Sequence, residues 1–217
     1  MPRAFTDSEK QAIQKRLLQS GRERFARYGL RKTNVEELTK DTGISKGAFY
    51  LFYQSKEELY FDVMWQVESE IQAGLLEAVQ HSGESSKKGF AQFLSKSLAI
   101  LETHPFFTNT GDEDYQYLLR SISPEQLQVG IEKDEAFVAR LLSVWAERGV
   151  IVDYEPKLVS AILRSMVFIS THKGEFEPDL YHQMMDLLVD SIAQRLVSDK
   201  EPTVNRDQKE SAEQHNG

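Results

Sequence analysis

The sequence predicts an all-α chain, and three observations predict it. Small polar residues followed three positions later by Glu or Gln recur along its 217 residues, the pattern in which each side chain satisfies a backbone N–H left open at a helix start. Apolar residues then follow each start at spacings of three and four. The stretches between are short and rich in Gly, Ser or Pro.

Taken in order, Ser8 and Gln11 form a capping box for a first helix carrying Ile13, Leu17, Leu18, Gly21 and Phe25 on its buried side and ending at Tyr28-Gly29. Thr33 with Glu36, or equally Asn34 with Glu37, opens a short second helix that buries Val35 and Leu38 and stops at Gly43. Ser45 caps a third helix of about two turns, 46–53. Ser55 with Glu58 opens a fourth, whose stripe Leu59, Val63, Val67, Ile71, Leu75 and Val79 runs to about Gln80, some 39 Å at 1.5 Å per residue. A Ser/Gly loop covers 81–88. Further helices are expected over 87–103, 112–121, 124–148, 156–172 and 178–197, the last three with Pro in the first turn. From Ser198 the chain has almost nothing apolar and reads as a disordered tail. The division expected is therefore 1–54, 55–197 and the tail 198–217.

Two short helices joined by a turn containing Gly43 make a helix-turn-helix, in which the second helix enters the major groove of DNA. Ile44, Phe49 and Phe52 or Tyr53 can pack inward, leaving Lys46, Gly47, Ala48, Tyr50 and Leu51 outward. Small residues let a helix approach base edges. Lys46 suits a guanine edge or a phosphate, Tyr50 a phosphate, and the Ala48 methyl a thymine methyl. Helix outline alone fits an ordinary helical hairpin equally well. The string Gly43-Ile44-Ser45-Lys46-Gly47-Ala48-Phe49-Tyr50, then Phe52-Tyr53, then Ser55-Lys56-Glu57-Glu58-Leu59 closely resembles the DNA-binding signature of the TetR family of bacterial transcriptional regulators. Tyr53 and Phe52 stand where the family usually has Phe and often has Tyr or His, and Glu36 stands where it often has a basic or polar residue.

The resemblance implies a homodimer with an N-terminal three-helix DNA-binding domain and a larger C-terminal helical domain that binds a small molecule and releases the DNA. The DNA-contacting set is then Thr33, Asn34, Ser45, Lys46, Gly47, Ala48, Tyr50, Leu51 and Lys56, with Thr33, Ser45 and Lys56 on the sugar–phosphate backbone. Charge agrees. The net charge is −8, but residues 1–56 carry +6 and the remainder −14, so the basic surface is local to the reading head.

In the C-terminal part, 104–117 is irregular, aromatic and polar at once, and His104, Phe106, Phe107, Tyr115, Trp145 and Phe168 are the candidates for a ligand pocket. Asp112, Glu113 and Asp114 nearby hint at an organic cation, although a fatty chain would suit the same helices. The last two helices carry more apolar surface than one domain buries, which suggests a four-helix interface between two copies through Leu158, Ile162, Met166, Met184, Leu188 and Ile192. Small residues Ser160, Ala161 and Ser165 would let those helices approach.

Other classes are disfavoured. The chain has no cysteine and no apolar run near the ~18 residues that a membrane span needs, which fits a cytoplasmic protein. No catalytic constellation or phosphate loop is readable, and the five histidines lack metal-ligand spacing, so neither enzyme, cofactor nor metal is expected. The expectation is a dimeric, effector-responsive repressor on a pseudo-palindromic operator. A helical dimer acting through protein partners, or a regulator without an inducer, is the alternative.

Overall fold

Side-chain caps decide where most of these helices begin. The computed structural model describes residues 5–108, 117–118, 120–151 and 154–197. The described residues form α1 (Asp7–Lys32), α2 (Val35–Thr42), α3 (Lys46–Phe49), α4 (Lys56–Ser82), α5 (Lys87–Thr103), α6 (Pro105–Thr108), α7 (Pro124–Glu147), α8 (Pro156–Thr171) and α9 (Pro178–Leu196), with a 3-10 turn at Lys173–Glu175. Among them the only backbone pairing of β type is an isolated bridge between Ile151 and Val197. Tyr115, most of the helix expected over 112–121 and the tail from 198 lie outside the described residues.

The first cap is Thr6 with Glu9 rather than Ser8 with Gln11. Both are capping boxes by spacing, and the earlier one adds two residues and puts Asp7 and Glu9 in the first turn, where they suit the positive end of the helix dipole. At the second start Asn34 with Glu37 forms the box, because Thr33 is fully buried and spends its hydroxyl on the Gly29 carbonyl at 2.9 Å. Gly29, at φ 78°, breaks α1 where the sequence placed its end, but three more helical residues follow. Ser45, Ser55, Ser86 and Ser123 cap α3, α4, α5 and α7.

Two apolar cores result. One joins Leu17 and Phe25 of α1, Leu38 of α2, Phe49 and Tyr53 around α3, and Leu59 to Val67 of α4. The other joins Val79 at the end of α4 to Phe90, Trp145, Met166, Tyr181 and Met185 of α5, α7, α8 and α9. The 27-residue helix α4 therefore contributes to both, and at 1.5 Å per residue it reaches about 40 Å. Its far end is tied down by Arg148, whose guanidinium donates to the carbonyls of Val79, Gln80 and Glu84 and to Ser82 Oγ.

A one-turn helix changes the expected pocket. α6 starts at Pro105, His104 Nδ1 accepts the Phe106 N–H at 3.2 Å, and the turn swings Phe106 back onto the first core. There Phe106 stacks on Tyr60 with ring centroids 5.0 Å apart and meets Phe107 edge-on at 5.5 Å. Trp145 lies in the other core against Phe90, and Phe168 is half exposed beside His172. His104, Phe106, Phe107, Trp145 and Phe168 thus do not line one cavity.

Candidate DNA-binding head

The reading head is built by local chemistry. α2 stops because Gly43 adopts φ 70°, a conformation a side chain would oppose, and its N–H closes onto the Lys40 and Thr39 carbonyls. Two residues later Ser45 Oγ accepts the Ala48 N–H at 3.1 Å and starts α3. Only one α-helical turn follows. Leu51 and Phe52 then donate three residues back, to Ala48 and Phe49, so the expected two-turn helix tightens as it ends. Phe49 and Tyr53 are both buried and Phe52 half-buried, so three aromatic residues must turn inward within five positions.

That inward turn sets what remains outside. Lys46, Gly47, Tyr50 and Leu51 are exposed, with Leu51 retaining 74% of its surface, and Ala48 is half-buried. A large exposed aliphatic beside an exposed tyrosine is unusual for a solvated turn. Gly47 has no internal reason to be small, since a Cβ there would meet only Ser45 Oγ, at 3.9 Å.

Electrostatics fixes the orientation of this face. Lys46 Nζ pairs with Glu36 on α2, which raises the ammonium and holds the Glu36 carboxyl below its ordinary range. On the other side Arg24 of α1 donates to both oxygens of Asp41 on α2, and Ser20 adds a bond at 2.9 Å. Asp41 is accordingly pushed down, chiefly by the bonded guanidinium. Arg22 makes a bidentate pair with Glu70 at 2.8 and 2.7 Å, fastening α1 to the middle of α4.

Two expected DNA contacts need correction. Lys56 Nζ donates to the carbonyls of Leu30 and Thr33 at 2.8 Å and Arg31 at 3.2 Å, so it closes the open end of α1 instead of waiting for a phosphate. Thr33, sealed inside, has no hydroxyl to offer. Asn34 and Ser45 are exposed, although each side-chain oxygen is engaged as a cap. The roles of Lys56, Arg24 and Asp41 join residues 17 to 26 positions apart, and no spacing rule marks such pairs in a sequence.

On α8 and α9 the structure leaves Leu158, Ile162, Leu180 and Leu187 exposed, and Met184, Leu188 and Ile192 half-buried against the second core. Met166 is different: it is 2% exposed and belongs to the protomer's own core. Ser160 likewise faces inward, while Ala161 and Ser165 face out.

A one-turn helix held by a Gly turn against a second short helix, on a bundle of longer helices, defines a helix-turn-helix head on an all-α body. Residues 17–63, which span the head from α1 into α4, match the family described as bacterial regulatory proteins, tetR family. It is 37% identical over 51 residues to the uncharacterized HTH-type transcriptional regulator YuxN of Bacillus subtilis, a match covering 24% of this chain and 18% of YuxN. The chain thus spans less than a fifth of the length of the curated relatives it matches. Solved structures share the fold across most of the chain. A TetR-family regulator from Pectobacterium atrosepticum gives a TM-score of 0.61 at 18% identity, covering 88% of this chain and 94% of that one. SmeT, the repressor of the Stenotrophomonas maltophilia multidrug efflux pump SmeDEF, gives 0.57 at 20% identity, covering 86% and 91%, and is also known as a complex with triclosan. Among the described residues no helix is long and apolar enough to cross a membrane, and no group of three or more His, Cys, Asp or Glu is placed to hold a metal.

Proposed function

We propose that the protein is a ligand-responsive repressor that binds a pseudo-palindromic operator as a dimer and is released by a small hydrophobic or aromatic effector. The observation that carries this reading is the outer face of α3, where Lys46, Gly47, Tyr50 and Leu51 stand open while Phe49 and Tyr53 anchor the turn from inside. Lys46, Ala48, Tyr50 and Leu51 meet base edges and nearby phosphates, and Asn34 and Ser45 border the sugar–phosphate chain. The ammonium of Lys46 leaves Glu36 when DNA arrives, since a phosphate or guanine edge satisfies it as well.

Pairing of two copies rests on the exposed Leu158, Ile162, Leu180 and Leu187, flanked by Met184, Leu188 and Ile192. Two-fold stacking of α8 and α9 buries that surface and holds two heads about 34–36 Å apart or a multiple of it, the spacing of successive major grooves. An effector that prefers the body with its heads misplaced lowers operator affinity by linkage. SmeT, with its efflux-pump repression and its triclosan complex, is a precedent of the same fold.

Fluorescence anisotropy with DNA flanking the protein's own coding region tests this. Saturable binding that weakens with salt, with Lys46→Ala losing affinity, supports the reading. Binding no tighter than to a shuffled duplex overturns it.

A further inference from the structure

Where α4, α7 and α8 meet, half-buried carboxyls gather beside buried polar atoms that have no partner among the described residues. Glu68, in the middle of α4, faces Asp134 and Lys133 of α7, and among the described residues no donor is hydrogen-bonded to its carboxyl. Among the described residues Asp134 receives a long bond from Gln72, at 3.4 Å, and the attraction of Arg164 on α8. Arg164 Nη1 is buried without a partner, and so is the hydroxyl of Ser160, a residue 2% exposed and one turn away on the same helix. A half-buried carboxyl with no donor, and a buried guanidinium nitrogen with no acceptor, are both costly.

The same place already holds a cation. The ammonium of Lys133, an exposed residue, sits 4.1 Å from the centroid of the Trp65 ring, and Trp65 precedes Glu68 by three positions, on the same side of α4. Phe61, buried in the core of the head, backs the Trp65 ring at 6.2 Å. Lys133 lies over the ring and leaves Glu68 without a hydrogen bond. A diffuse cation on a larger apolar body would cover the ring and meet the carboxyls together.

We propose that Trp65, Glu68 and Asp134 form a binding site for an organic cation, in which Lys133 is a placeholder that the ligand's charged group displaces from the Trp65 face. An anion would meet two carboxyls, and the guanidinium of Arg164 is already drawn to Asp134, so the charge balance selects a cation. The inference rests on the repressor reading and names the effector class for it. Glu68 lies on α4 between Val67, in the core of the head, and Val79, in the core of the body, so a guest against it bears on the helix common to both.

A proton accompanies the ligand. Burial first, then Asp134, pushes the Glu68 carboxyl up to about 8, with Lys133 opposing, so this carboxyl is mostly protonated at pH 7. An arriving cation favours the charged form, and the proton passes to solvent. The charged groups facing Glu68 are Asp134 and Lys133 from α7, with Arg164 of α8 beyond Asp134.

The experiment is calorimetric titration of the full chain, without DNA, with tetraphenylphosphonium at pH 7 in two buffers of different ionisation enthalpy. Binding with proton release is expected, weaker by ~10-fold or more in Glu68→Gln and in Asp134→Asn, and tighter by several-fold in Lys133→Ala. Because the two carboxyl-to-amide changes are isosteric, circular dichroism should show them folded. No binding, binding indifferent to all three substitutions, or preference for decanoate over the phosphonium overturns the proposal. Operator anisotropy with the same probe separates the two readings. Glu68-dependent binding that leaves DNA affinity unchanged keeps this site and sinks the effector reading, whereas release of the DNA supports both.

Discussion

Arg24 in the head and Arg164 in the body are both guanidiniums drawn to an aspartate, yet they are held differently. Arg24 grips both oxygens of Asp41, and Ser20 adds a bond to the same carboxylate. Arg164 attracts Asp134 but keeps one buried nitrogen unbonded. The contrast extends to their surroundings, for the head closes the end of α1 with Lys56 and its helix starts with Asn34, Ser45 and Ser55, whereas among the described residues the body buries the Ser160 hydroxyl, the Trp145 Nε1 and the Arg164 Nη1 without partners. The head's exception among the described residues is the Tyr53 hydroxyl, which has Gln14 and Asp62 beside it. A saturated head moves as one piece. An under-satisfied body has polar groups whose cost a proton or a ligand can remove, so its energy responds to what occupies it.

The largest effect that separates the regions is expected from Phe49→Ala. Its ring is fully buried beneath α3, so truncation should cost about 3–5 kcal/mol in denaturant unfolding and abolish specific DNA binding. A loss below about 1 kcal/mol would mean that the head is not a packed unit.

Next in size is the pH response of the body. The Glu68 carboxyl is raised to about 8 in the fold from an ordinary 4.5, so the folded state holds a proton that the unfolded chain has released. Its contribution is complete below the ordinary value and disappears as pH rises through about 8. Stability should therefore fall by about 2–3 kcal/mol between pH 6 and pH 9, and Glu68→Gln should flatten that fall. Parallel pH profiles for the two proteins, read as Tm, would show that Glu68 is well solvated.

Much of this was legible in the sequence because helix starts and periodic faces are local signals. Of the stripe Leu59, Val63, Val67, Ile71, Leu75 and Val79 all are buried but Ile71, which is half-buried, and α7, α8 and α9 begin at the prolines that announced them. The turn at Gly43 and the outward set around Lys46 were readable for the same reason. What failed was contact at a distance. Phe106 and Trp145 look alike as aromatic residues near an irregular stretch, and only the one-turn helix at Pro105 sends the first to the head while the second stays in the body. Met166 lies one turn from Ile162 on the same side of α8, yet the second core covers it while Ile162 stays exposed, a difference that spacing does not show. Lys56 occupies a signature position, but its partners lie more than 20 residues earlier, at the end of another helix.

Lys56→Ala sharpens that last point. Its ammonium satisfies carbonyls at the end of α1, and losing a charged donor to such groups should cost about 1.5–2 kcal/mol of stability. The slope of DNA affinity against salt should be unchanged, because no phosphate contact is removed. A slope reduced by roughly one phosphate, with stability unaltered, would return Lys56 to the DNA surface.

The smallest effect tests the body's loose polar groups most directly. Trp145→Phe removes the indole N–H that has no acceptor, and with it part of the ring that packs against Phe90 and Phe93. The two consequences oppose each other. The lost ring atoms leave a small cavity, which destabilises, while the unsatisfied donor disappears, which stabilises. Their near cancellation should hold the change within about 1 kcal/mol in denaturant unfolding, far below the loss at Phe49 although both rings are buried. A loss above about 3 kcal/mol would show that the indole N–H is bonded in solution, and Trp145 would then be as fully satisfied as the residues of the head.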